Sequence, residues 1–122
     1  MNKYQALQNF WGSFGLTAYD TYSVPTNAKL PCLTYSVSIG ALDEPLFMSA
    51  SLWYRSDTWT EIDNKANEIE ARLNTSGIIL PLDHGFLFLF RGSPFAQRLN
   101  DSSDVRIKRI YFNIGAEFLT AH

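Results

Sequence analysis

The chain has 122 residues and a mass of 13.9 kDa, enough for one domain, residues 1–122, that buries about two-thirds of its unfolded surface. Hydrophobic residues make up 46% and aromatic residues 15%, with a net charge of -2. This composition excludes a disordered chain and an overall basic field that would attract nucleic acid.

The single cysteine, Cys32, rules out an internal disulfide and a cysteine-based zinc site. It alternates with apolar positions, the setting of a small buried residue rather than of a nucleophile. The opening residues MNKYQALQNFWG lack the apolar core of a signal peptide. The most apolar stretch is broken by Asp83 and His84, so no membrane span is expected. Sequons at Asn74 and Asn100 carry no meaning without secretion, and the expected compartment is a cytoplasm.

Residues 2–14 place Tyr4, Leu7, Phe10, Trp11 and Phe14 at steps of three and four, the period of an amphipathic helix ended by Gly12 and Gly15. A connector follows, LTAYDTYSVPTNAKLP, rich in turn formers and without periodicity. In LTYSVSI, Leu33, Tyr35, Val37 and Ile39 alternate with Thr34, Ser36 and Ser38, and Leu46–Tyr54 alternates likewise after the turn chemistry of GALDEPL. These two segments predict an antiparallel pair.

TWTEIDNKANEIEARL reads as the longest helix, with Thr58 and Glu61 as a capping box. Trp59, Ile62, Ala66, Ile69 and Leu73 form its apolar stripe, and Glu61–Lys65 and Glu68–Arg72 are expected i,i+4 pairs on its solvated side. GIILPLDHGFLFLF predicts a hairpin turning at Asp83-His84-Gly85. Its return strand is apolar on both faces, Phe86, Phe88 and Phe90 on one and Leu87 and Leu89 on the other, so both faces need a cover. One cover is the long helix, and the other is the first helix or a neighbouring subunit. The last strand, VRIKRIYFNIGAEFL, changes phase between Ile107 and Ile110, which a β-bulge at Lys108-Arg109 would reconcile.

The expected order is therefore α-β-β-α-β-β-β. It describes an α+β fold: a mixed, mainly antiparallel five-stranded sheet packed by an N-terminal helix and one long central helix. The connection through that helix is long enough for a parallel crossover.

Catalytic signals are thin. There is no G-x-S-x-G elbow, phosphate loop or H-E-x-x-H, and GSFG at residues 12–15 is a helix stop. His84 sits in a turn beside Asp83 and His122 is the last residue, so no metal or cofactor is expected. Asp43 with Glu44, and Asp101 with Asp104, read as solvated loop carboxylates. Arg106-Ile107-Lys108-Arg109 and the pair Arg91 and Arg98 are the only basic concentrations, too few for sequence-specific nucleic-acid binding in an acidic chain. No enzymatic activity is expected, although a small enzyme or ligand-binding domain built from scattered residues stays open.

What remains is a surplus of aromatic strand surface, together with RGSPFAQRL, expected as a loop in which Arg91 and Arg98 bracket Pro94 and Phe95. Buried aromatic anchors edged by arginine are the composition of protein interfaces. The series YQALQNFWGSFGLTAYD, LPCLTYSVS, SASLWYRSDTW, GSPFAQRL and IKRIYFNIGAEFLTAH resembles, across essentially the whole chain, the tail-terminator proteins of long-tailed bacteriophages and prophages, often labelled minor capsid or neck proteins. The resemblance implies a subunit without cofactor that forms a ring, typically hexameric, on the head-proximal end of the tail tube. Such a ring stops tube polymerisation and offers a surface to the head-side connector or stopper, and DNA is expected to pass through it. It further implies a virion protein of the tail or neck, assembled in the host cytoplasm. A head-completion or stopper protein of the same particle is the alternative. The residues expected at the assembly interface are Trp53, Arg55, Arg91, Pro94, Phe95, Arg98, Arg109 and Tyr111, with Phe95 equally able to cap its own core.

Overall fold

The computed structural model describes residues 1–37, 46–100 and 103–120. Ser38, Ile39, most of the GALDEPL turn with Asp43 and Glu44, Asp101 and His122 lie outside the described residues. The elements are helix α1 (Lys3–Gly12), strands β1 (Thr17–Asp20), β2 (Cys32–Tyr35) and β3 (Leu46–Arg55), helix α2 (Thr60–Leu73), and strands β4 (Ile78–Leu82), β5 (Gly85–Asn100) and β6 (Ile107–Thr120).

The strands form one sheet in the order β1-β2-β3-β6-β5-β4. The α+β class and the mixed sheet agree with expectation, but among the described residues the sheet has six strands rather than five. The extra one, β1, pairs in parallel with β2 from inside the connector. Only Ala18 of its four residues is buried, so it carries no period of two. Every other neighbouring pair is antiparallel. The expected parallel crossover is therefore absent: α2 carries the chain past β6 and β5 to the far edge, where β4 runs opposite to β3.

Successive strand side chains point to opposite faces, and one face gathers the core. Leu33 and Tyr35, Met48, Ala50 and Leu52, Leu87 and Leu89, and Ile110, Phe112, Ile114 and Ala116 are all buried there. Leu7, Phe10 and Trp11 of α1 join the same cluster as Ile62, Ile69 and Leu73 of α2. Trp11 stacks on Tyr35 with ring centroids 6.5 Å apart. Both helices thus lie on one face. The first helix does not cover the second apolar face of β5, and among the described residues no helix does.

The helix ends depart from the sequence patterns in instructive ways. The capping box belongs to α1, where Asn2 and Gln5 exchange side-chain and backbone bonds of 2.9 Å. At α2 the expected Thr58–Glu61 box is replaced by Trp59 at the N-cap, with no side-chain cap bond. Arg98 and Lys108 lie over the Trp59 ring at 4.8 and 5.6 Å, so tertiary packing on the indole sets where this helix begins. The expected i,i+4 pairs yield to contacts with the residues that end α1. Lys65 donates to the Phe14 carbonyl at 2.7 Å and approaches Glu68, while Arg72 donates to the Ser13 hydroxyl and covers the Phe14 ring.

Strand β6 carries no bulge at Lys108-Arg109: its register with β3 runs unbroken from Ile107 opposite Arg55 to Ala116 opposite Leu46. Val105 lies outside the strand and is 81% exposed, which removes the phase conflict. The irregularity lies instead in β5, between Arg91 and Ala96.

Candidate functional site

RGSPFAQRL is a strand, not a loop. Arg91 faces Ile114 and Ala96 faces Phe112, so four residues, 92–95, stand opposite Asn113 alone. The Ser93–Pro94 peptide is cis, and the Asn113 amide donates to the Pro94 carbonyl at 2.8 Å. This wide bulge turns Phe95 toward the helix-covered face, where its ring packs on buried Phe112 at 5.2 Å. The ring is partly buried and joins the core margin.

Both arginines have acidic partners, supplied by α2 rather than by the local sequence. Arg98 pairs with Asp63, and Arg91 donates to the Glu70 carbonyl at 2.9 Å and approaches its carboxylate at 3.8 Å. Asp63 and Glu70 are two helical turns apart on one face of α2. Arg91 and Arg98 therefore clasp the long helix within the subunit, with the Phe95 ring 5.8 Å from the Arg91 guanidinium. Arg55 is likewise engaged, with Asp104 at 2.7 Å, and Arg106 pairs with Asp57 at 3.3 Å.

Trp53, Arg109 and Tyr111 are brought together elsewhere, on the sheet face that carries no helix. The Arg109 guanidinium lies 4.5 Å from the Trp53 ring centroid and 5.6 Å from that of Tyr111. Lys108 points the other way, its ammonium bonded to the Val105 carbonyl beside Trp59, so the run from Arg106 to Arg109 is divided rather than gathered into a patch.

The open face has two halves. Over β2 and β3, the segment 21–30 roofs a cavity of about 470 Å³. Its floor is hydroxyl-rich: Ser36 and Ser49 bond each other at 3.0 Å, Thr34 accepts the Trp53 indole N–H at 2.9 Å, and Ser51 accepts from Arg109 Nε at 3.0 Å. Cys32 lies in this floor, and burial pushes its thiol above the ordinary value. It is held protonated, as suits a packed side chain and not a nucleophile.

Over β4, β5 and the start of β3 the face is apolar. Phe47 is 66%, Ile79 60% and Phe86 45% exposed, beside half-buried Phe88 and Phe90 stacked at 5.2 Å. Cross-strand register puts Phe47, Gly115 and Phe90 in one row and Glu117, Phe88 and Ile79 in the next. Period-two alternation on β5 already pointed to this second apolar face. The cavity was missed, because its roof comes from an aperiodic connector and its floor from serines and threonines that read as a wet face.

Among the described residues, no three of His, Cys, Asp and Glu converge as metal ligands, and no helix is long and apolar enough to cross a membrane. The Asp83 carboxylate is paired with the amino group of Met1. No protein-family model and no curated protein matches this chain.

Proposed function

We propose that this chain is a structural subunit that assembles through the open face of its sheet, as a tail terminator does on the head-proximal end of a phage tail tube. The observation that carries this reading is the placement of both helices on one face. It leaves Phe47, Ile79 and Phe86 in water. Contiguous apolar surface of this kind marks interaction sites, and a subunit that joins two different patches of its surface forms a ring when the rotation between copies closes. The resemblance of the sequence to tail terminators supplies the ring, its hexameric count and its neighbours: tube protein below, head-side connector or stopper above. No catalytic step enters this role. A stopper or other head-completion protein would use the same face, so the partner bound decides between them.

The test is assembly. Light scattering and electron microscopy of the chain mixed with polymerising tube protein should show rings capping short tubes. Phe47→Asp with Phe86→Asp should leave the fold intact and abolish capping. A chain that never associates with tube protein, and binds the head connector instead, would replace the terminator role by the stopper role. A chain that stays monomeric with both would overturn assembly altogether.

A further inference from the structure

The cavity beneath segment 21–30 has a polarity that ring assembly does not call for. Its floor presents donors. Thr34 and Ser51 use their oxygens to accept from the Trp53 indole and from Arg109 Nε, so each hydroxyl keeps its own proton to give. Ser51 is only 3% exposed, so its hydroxyl has the cavity as its outlet. The two terminal nitrogens of Arg109 make no ion pair with any carboxylate among the described residues, while every other arginine except Arg72 has one. The guanidinium is held against the Trp53 and Tyr111 rings at the wall of the cavity. The roof is more apolar, with Val24, Ala28 and Leu30 lining it beside Thr21 and Tyr22.

From this we infer that the cavity binds a carboxylate carried on a short apolar body: the carboxylate meets Arg109 and the Ser51 and Thr34 hydroxyls, and the body lies under Val24 and Leu30. A planar, fork-shaped cation matches a carboxylate in two parallel hydrogen bonds. The volume of about 470 Å³ lies within the range of small-ligand sites, about 300–1,000 Å³. A wholly apolar ligand would strand the floor's donors, and a bare inorganic anion would leave the roof in contact with water. The carboxylate can belong to a free organic acid or to a glutamate side chain of a partner peptide. This assignment rests on the cavity alone and is independent of ring assembly.

The experiment titrates the intact chain with 4-phenylbutyrate, with its amide, with a blocked pentapeptide of leucine, phenylalanine, glutamate, leucine and alanine, and with the same peptide carrying glutamine. The readout is the nuclear magnetic resonance signal of the Trp53 indole N–H, identified by its loss in Trp53→Phe. The acid, or the glutamate peptide, should shift this signal and bind at least tenfold more tightly than its neutral twin. Arg109→Gln should erase that tenfold difference. Ala28→Trp, which fills the cavity from its solvent-side roof, should abolish binding while leaving the melting temperature within a few degrees. A response to the acid identifies a free organic acid as sufficient, and a response to the glutamate peptide alone identifies a polypeptide source. Equal binding of charged and neutral twins overturns the inference. So does a silent Trp53 signal with all four probes, or displacement by inorganic phosphate at equal concentration, which would reduce the site to a bare anion contact.

Discussion

The ring of Phe90 lies directly over Gly115 of the neighbouring strand, so close that a Cβ at position 115 would come within 2.1 Å of the Phe90 ring. The two face each other in the β5–β6 register, on the side of the sheet without helices. An aromatic side chain covering a strand glycine replaces the contacts that the glycine cannot make. Gly115→Ala should therefore cost about 1–3 kcal/mol, the range for overpacking. Because the Phe90 ring can swing outward, the lower half of that range is expected. The cost should shrink when Phe90 is first shortened to alanine, since contacting residues are not additive. Urea denaturation of the two single variants and the double variant measures this coupling, and strictly additive losses would mean that the ring does not rest on the glycine.

A second relationship joins β5 to α2. Arg98 pairs with Asp63 while covering the Trp59 ring at 4.8 Å. Its side chain is 56% exposed, so the ion pair itself contributes at most about 1 kcal/mol. Arg98→Lys keeps the charge but loses the planar stack on Trp59, and should cost about 0.5–1 kcal/mol. Arg98→Glu sets like charges together and should cost more, with the loss diminishing as salt is raised. The exchange Arg98→Asp with Asp63→Arg should recover part of it. A salt-independent loss in Arg98→Glu would assign the contact to packing and not to charge.

These two contacts also show where sequence patterns stop. The alternation of Leu87 and Leu89 with Phe86, Phe88 and Phe90 announced a strand apolar on both sides, and the stripe from Ile62 to Leu73 announced a helix, because burial imposes those periods directly. The partners of Arg91 and Arg98 were not legible. Asp63 lies 35 residues from Arg98 and Glu70 lies 21 residues from Arg91 along the chain, and the bulge at 92–95 stands between the two arginines. For the same reason the strand looked like a loop: four residues opposite one break the period of two, and Gly92 and Pro94 are usual loop residues. The capping box was misplaced to α2 because its signature is local, whereas Trp59 is held by Arg98 and Lys108 from distant strands. Trp53, Arg109 and Tyr111 stand among the expected interface residues, but no sequence signal tells their cluster apart from the clasp formed by Arg91 and Arg98.

Stability should fall in alkali in a defined order. Burial raises the Cys32 thiol and, with Asp20 nearby, the Tyr35 hydroxyl. The Tyr54 hydroxyl is raised by burial and then by Glu61 and Glu68. Each group is thus held in its neutral form by the fold. A raised folded pKa gives a stabilisation that is complete below the unfolded value and is lost as pH climbs through the folded one. The melting temperature should hold from neutral pH to about pH 8.5, decline as the unfolded thiol ionises, and decline faster above about pH 10 as the unfolded tyrosines follow. Cys32→Ala should remove the first decline and leave the second. At the acid end, Asp104 is held below its usual value, first by the Arg106 backbone N–H and then by Arg55. Its contribution is present above the unfolded value and is lost as pH falls through the folded one. A melting temperature that stayed flat past pH 11 would show that these hydroxyls ionise as freely in the fold as in the unfolded chain.

Two phenylalanines of the same strand should respond oppositely to the same change. Phe95 packs on buried Phe112 beneath α2, whereas Phe86 is 45% exposed on the face without helices. Phe95→Ala should cost the isolated chain about 3 kcal/mol, the low end for a buried phenylalanine because part of its ring reaches solvent. Any weakening of assembly should then track the lost fold. Phe86→Ala should change folding by less than about 1 kcal/mol, as exposed substitutions do, and should weaken assembly by about 2 kcal/mol or more if the open face is the contact. One denaturation curve and one tube-capping assay for each variant separate the two roles. The arrangement requires the stability loss to follow Phe95 and the assembly loss to follow Phe86. The reverse pattern would move the interface from the open face to the bulge, with RGSPFAQRL as its anchor.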